Sequence, residues 1–132
     1  MVVFDSSILI DDLRTGCHSQ RMAELAALVR TCSVVLAELW RGATTQAERT
    51  FLVALEENFL IFTPTEKNWI ESGQILRKMQ RSHSFEARKL RDLHFDVLIA
   101  LTVRSHGARL ITSNRADFEL IREYQAFELE VW

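Results

Sequence analysis

Glycine and proline are scarce in this chain, with four of one and a single copy of the other among 132 residues. Tight turns lean on both residues, so an all-β sandwich or barrel with many hairpins is hard to build. The same scarcity leaves no material for the glycine-rich phosphate loops of P-loop and Rossmann enzymes. Cysteine is scarce too. Cys17 and Cys32 form neither a disulfide framework nor a zinc motif, and both are expected as buried thiols in a reducing cytosol. No apolar run is long enough to span a bilayer; Thr102 interrupts one of the longest, Val97–Val103. Met1–Asp5 has neither the basic start nor the apolar stretch of a signal peptide. A soluble, cytoplasmic protein with no membrane contact is the expectation.

What is present suits one domain. An apolar fraction of 48% and a charged fraction of 26% are globular averages, and 132 residues bury enough surface to fold without staples. The net charge of −2 hides an uneven distribution. Between Arg77 and Arg91 lie Arg77, Lys78, Arg81, Arg88, Lys89 and Arg91 against the single acid Glu86, a local charge of +5. The rest of the chain carries −7.

Strand and helix signals alternate. Val2–Phe4 reads as a buried strand ending at Asp5-Ser6-Ser7, with Ser6 or Ser7 capping a helix from Ile8 to Arg14. Met22, Leu25, Ala26 and Val29 form the stripe of an amphipathic helix over His18–Arg30. Cys32–Val35 reads as a second strand, followed by a helical stretch closed by Gly42. Thr44 or Thr45 opens a helix to Asn58, and Phe59–Phe62 reads as a third strand. Thr65 caps a long helix with Trp69, Ile70, Gly73, Leu76 and Met79 on one face. A break at Ser82–Ser84, a short basic piece over Phe85–Leu93 and a helix over His94–His106 follow. Gly107 stops that helix. Arg109–Thr112 is a fourth strand, Asn114 starts a last helix, and Phe127–Val131 reads as an edge strand. Continuous apolar strands alternating with helices imply βαβ units and a parallel sheet covered on both faces. Ligands of such sheets bind beyond the carboxyl ends of the strands.

Acidic residues stand where that rule points. Asp5 follows the first strand, Glu38 follows the second by three residues, and Asp117 follows the fourth by five. Asp96 abuts the apolar run Val97–Leu101, where a charge is costly unless paired or bound to a cation. Carboxylates sharing one pocket repel and hold their protons. A divalent cation relieves the repulsion, and oxygen ligands without nearby His or Cys suit Mg²⁺ or Mn²⁺. Such a site serves phosphoryl chemistry. Asp11, Asp12, Glu56 and Glu57 are read as solvated charges or caps, and Asp92, four residues before Asp96, as a helix-start charge.

Four segments together resemble the PIN domain, most closely the ribonuclease toxins of VapBC-type toxin–antitoxin pairs. They are Val2-Val-Phe-Asp5-Ser-Ser, Ser33-Val-Val-Leu-Ala-Glu38-Leu-Trp-Arg-Gly42, Phe95-Asp96-Val-Leu-Ile-Ala100 and Leu110-Ile-Thr112-Ser-Asn114-Arg-Ala-Asp117-Phe118. The resemblance runs from Val2 to Trp132 and implies a three-layer α/β/α sandwich around a mostly parallel sheet of four or five strands. It implies an Mg²⁺- or Mn²⁺-dependent endoribonuclease in which water attacks an RNA phosphodiester in line, leaving a 5′-phosphate and a 3′-hydroxyl. By the same resemblance Asp5 and Asp96 are the principal metal ligands, Glu38 holds metal or its water, and Asp117, the acid of the closing motif, joins them in holding one or two metals. Ser6 and Thr112 match polar positions that orient the site. Many members carry their fourth acid where this chain has Asn114, a second departure being Val97 in place of alanine. The resemblance also implies a homodimer silenced by a cognate antitoxin that enters the site.

The basic segment, Arg77 to Arg91, is expected to neutralise the backbone of incoming RNA. Two other readings compete: a solvated helix face and a seat for an acidic antitoxin tail. A haloacid-dehalogenase-like phosphatase would need a second aspartate at Ser7, and a receiver domain would need a lysine near Thr112-Ser113. A housekeeping RNA-processing nuclease, or a PIN-like module that only binds, remain as alternatives.

Overall fold

A computed structural model describes residues 1–132. Strands β1 (Val2–Phe4), β2 (Val29–Cys32), β3 (Ile61–Phe62), β4 (Arg109–Thr112) and β5 (Glu128–Val131) alternate with seven helices. The helices are α1 (Ser6–Thr15), α2 (Ser19–Glu24), α3 (Ser33–Gly42), α4 (Gln46–Asn58), α5 (Glu66–His83), α6 (Ala87–Ser105) and α7 (Arg115–Tyr124). All neighbouring strands run parallel, in the order β3-β2-β1-β4-β5. The chain winds outward from β1 to β3, then crosses back to β4 and β5. Right-handed crossovers therefore place α1–α4 on one face and α5–α7 on the other, giving the α/β/α sandwich. The winding reverses between β1 and β4. That is the topological switch point, where the carboxyl ends of neighbouring strands part and leave a crevice.

β1 is buried on both faces, with Val2 and Val3 fully enclosed, as a central parallel strand must be. The second strand lies earlier than the sequence suggests. Val29–Cys32 pairs with β1 and β3, and the apolar Val34 and Val35 are the buried first turn of α3. Arg30 and Thr31 break the apolar run and disguise the strand. The helix expected over His18–Arg30 is cut to α2, although Met22, Leu25 and Val29 do all pack against the core. β3 is two residues long, because Phe59 is still the C-cap of α4.

Thr65 caps α5 as expected, in a reciprocal pairing with Asn68. The buried face of α5 is Asn68, Ser72, Ile75, Leu76 and Met79, whereas Trp69 and Ile70 face solvent. Polar groups make that interface: Asn68 Nδ2 donates to Ser105 Oγ at 3.0 Å, and Ser72 Oγ meets His94 Nε2 at 2.9 Å. The basic piece and the following helix are one helix, α6, so Arg88, Lys89 and Arg91 share it with Asp96. Gly107 takes the left-handed φ of 63° that ends α6. His106 docks inward, stacking on Phe62 and touching the Thr102 carbonyl through Nδ1. Cys32 is buried as expected, but Cys17 lies exposed in the turn after α1. No helix is long and apolar enough to cross a membrane.

Candidate active site

Asp5 ends β1 and Thr112 ends β4, so the two strands that flank the switch point deliver them side by side. Asp5 is also the N-cap of α1, though its side chain caps nothing. Its Oδ2 accepts instead from Ser7 Oγ at 2.8 Å and from Thr112 Oγ1 at 2.7 Å. Both hydroxyls are themselves oriented by backbone. Ser113 N–H donates to Ser7 Oγ at 3.1 Å and Asn114 N–H to Thr112 Oγ1 at 3.0 Å. Each hydroxyl thus spends its one proton on Asp5 and its lone pairs on the turn after β4. The carboxylate is 3% exposed and has one oxygen fixed.

Glu38 reaches the same crevice from the sixth position of α3, and Asp96 from the tenth position of α6. One carboxylate oxygen from each of Asp5, Glu38 and Asp96 lies within 4.8 Å of the others. Two oxygens on opposite sides of one Mg²⁺ stand roughly 4 Å apart. Ser6 Oγ donates to Glu38 Oε2 at 3.5 Å, while Glu38 Oε1 is buried with no hydrogen-bond partner. An unpartnered buried carboxylate oxygen is costly, and a cation on that oxygen removes the cost.

The electrostatics follow from the burial. Desolvation, then the charges of Asp5, Glu38 and Asp117, push the Asp96 carboxyl up to about 9, with Lys89 pulling the other way. Desolvation and Asp5 push Glu38 up to about 7, opposed by Arg41 and by the Ser6 hydrogen bond. In the absence of a cation the cluster therefore keeps protons at neutral pH. Three oxygen donors with no imidazole or thiolate among them form a hard site.

Asp117 behaves differently from these three. It occupies the first turn of α7, where Asn114 caps the helix and donates from Nδ2 to Asp117 Oδ2 at 3.2 Å. Lys89 Nζ sits 2.8 Å from both of its oxygens. Its charge reaches Asp96, but it stands outside the three-carboxylate group. The three supporting polar residues expected from the sequence, Ser6, Thr112 and Asn114, each bond a different acid: Glu38, Asp5 and Asp117.

Of the basic segment, Lys89 is committed to Asp117, while Arg77, Lys78, Arg81, Arg88 and Arg91 are exposed on α5 and α6 without ion pairs. Lys89 precedes Asp96 by about two helical turns on one face, roughly 11 Å along the axis. Two contributors escaped the sequence reading. Ser7 is one of the two hydroxyls on Asp5. Arg41 lies beside Glu38 and places its guanidinium 5.3 Å from the Phe95 ring, tying α3 to α6. A groove of about 240 Å³ runs between α1, α3 and α4, lined by Leu9, Leu13, Leu39, Phe51 and Leu52, with Glu38 on its wall.

The family description "PIN domain" matches residues 2–123. The chain belongs to the PIN-domain family. Solved structures resemble this chain in fold. The DNA-bound VapBC from Salmonella typhimurium is 20% identical with a TM-score of 0.71, over 99% of this chain and 97% of that one. VapBC2 from Rickettsia felis, bound to a fragment of its promoter, is 20% identical with a TM-score of 0.71, over 100% and 99%. A toxin–antitoxin complex from Klebsiella pneumoniae is 23% identical with a TM-score of 0.60, over 89% and 90%. At these identities the likeness concerns the fold. No curated protein matches this chain by sequence.

Proposed function

We propose that this PIN domain is an Mg²⁺- or Mn²⁺-dependent endoribonuclease, and that it is the toxin of a toxin–antitoxin pair. One observation carries the enzymatic reading: Asp5, Glu38 and Asp96 converge at the switch point with Glu38 Oε1 buried and unpartnered. Those three residues would hold the cation. Bound there, it supplies charge to polarise a phosphodiester and to lower the pKa of a water molecule.

The chain's own groups do the rest. Ser7 and Thr112 hold the Asp5 carboxylate in one rotamer, so a ligand oxygen is in place before substrate arrives. Ser6 does the same for Glu38. The exposed cations Arg77, Lys78, Arg81, Arg88 and Arg91 draw the RNA backbone toward a pocket whose own charge repels it. Arg41, beside Glu38, adds a cation at the mouth.

The toxin reading rests on the family and on the company the fold keeps, since one similar structure is described as a toxin–antitoxin complex and others as VapBC. The apolar groove beside Glu38 fits an antitoxin segment whose end would cover the carboxylates. A homodimer in the cytoplasm completes the proposal, with the exposed Trp40 and Trp69 as candidate interface residues. Induced expression in bacteria tests it. Growth arrest with RNA breakdown by the wild type, and normal growth with Asp96→Asn at equal protein level, support it. Equal arrest by both would refute it.

A further inference from the structure

Lys89 and Asp117 form an ion pair that neither a surface role nor the three-carboxylate cluster explains. The ammonium sits symmetrically on the carboxylate, 2.8 Å from each oxygen, in the position a bidentate cation would take. The pair is partly shielded, with side-chain exposures of 42% and 20%. Asn114 Nδ2 also donates to Asp117 Oδ2, at 3.2 Å. Lys89 has no second acidic partner, so it is not one link of a wider network. It stands on the helix that carries Asp96 and bridges to the first turn of α7. Both charges of the pair are felt at Asp96, so the pair borders the cluster without joining it.

We propose that Lys89 is a built-in cation for Asp117 and so limits the site to one divalent ion, held by Asp5, Glu38 and Asp96. This rests on the reading of those three residues as a cation site. The charge balance is direct. Three carboxylates face one divalent ion, and the fourth is neutralised by an ammonium already in the chain. A second ion at Asp117 would have to displace Lys89 and then stand near the first ion with only one carboxylate of its own. An ammonium is a compact point charge on a flexible stem, which suits it to this fixed role. Lys89 is therefore a positioning residue. It acts through Asp117 and leaves the scissile bond to other groups.

Mn²⁺ binding to the full chain, followed by calorimetry and by electron paramagnetic resonance of the free ion, tests the proposal. The wild type should bind one ion. Lys89→Met should bind two, the second more weakly. Lys89→Arg, and the double change Lys89→Met with Asp117→Asn, should return to one. Asp117→Asn alone, with Lys89 in place, should keep one ion and change its affinity by less than about tenfold, the loss typical of a true outer partner or ligand. Two ions in the wild type, or one in Lys89→Met, would overturn the proposal, as would loss of the single ion in Asp117→Asn. No binding by the wild type would overturn the cation-site reading itself, a result distinct from all of these.

Discussion

Replacing Asp96 by Asn should make the cation-free protein more stable than wild type, by a margin that widens as the pH rises. Asp96 is buried on α6 among Leu93, Val97 and Ala100, and its folded pKa is raised from 3.8 to about 9. Above pH 5 the unfolded carboxyl has lost its proton while the folded one keeps it. Folding then takes up close to one proton, and stability falls by about 1.4 kcal/mol per pH unit. The stabilisation is complete below the unfolded pKa and is lost as the pH climbs toward the folded one. From pH 5 to pH 8 the loss is about 4 kcal/mol, comparable with the whole stability of a marginal domain. Asparagine has nearly the same shape and no titration. At roughly 3–5 °C per kcal/mol for a chain of this size, the wild-type Tm should fall by roughly 12–20 °C relative to Asp96→Asn over that range. Thermal melts in chelator at several pH values measure it, and the difference between the two proteins cancels the titrating groups that do not couple to Asp96. Adding Mg²⁺ should restore the wild type at pH 8 and leave the variant unmoved. A difference that stays flat with pH would show that Asp96 ionises freely in the fold, and the electrostatic account of the cluster would fail.

Other perturbations test separate parts. Thr112→Val removes one of the two hydroxyls on Asp5 and strands the Asn114 N–H; RNA cleavage should drop about 10–100-fold with the fold intact by circular dichroism. Arg88→Ala with Arg91→Ala should weaken RNA binding and reduce the slope of log K against log salt by about 0.7 per lost phosphate contact, whereas an unchanged slope would return these residues to ordinary surface. Because Glu38 titrates at about 7, Mn²⁺ affinity should rise by about tenfold per pH unit for each proton displaced below that point, and a pH-independent affinity by calorimetry would contradict it. Thr65→Ala should cost about 1 kcal/mol through the lost cap of α5, read by denaturant unfolding, without touching cleavage.

Much of this architecture is legible in the residue order because a parallel α/β fold writes its sites at strand ends. Val2–Phe4 is too short and too apolar to be anything but a buried strand, so Asp5 had to emerge at its carboxyl end. Asp96 announces itself as a charge set against five apolar residues. Glu38 is less legible: its strand sits earlier than expected, with Arg30 and Thr31 inside it, so its distance from the sheet could not be counted correctly. The face of α5 was misread because Asn68 and Ser72 fill core positions by bonding Ser105 and His94, and a stripe built on apolar residues passes over them. α6 looked like two pieces because its first turns are basic and exposed while Asp96–Val103 is buried. The Lys89–Asp117 pair spans 28 positions, and no local rule connects them. Arg41 and Phe95, 54 positions apart, meet only because α3 and α6 pack together in the fold.

RNA cleavage by purified protein, stripped with chelator and then given Mg²⁺, puts the central claim most directly at risk. The account predicts no cleavage in chelator, cleavage on adding Mg²⁺, and none from Asp5→Asn or Asp96→Asn in Mg²⁺. Cleavage by either variant at the wild-type rate, or by the wild type in chelator, would contradict it.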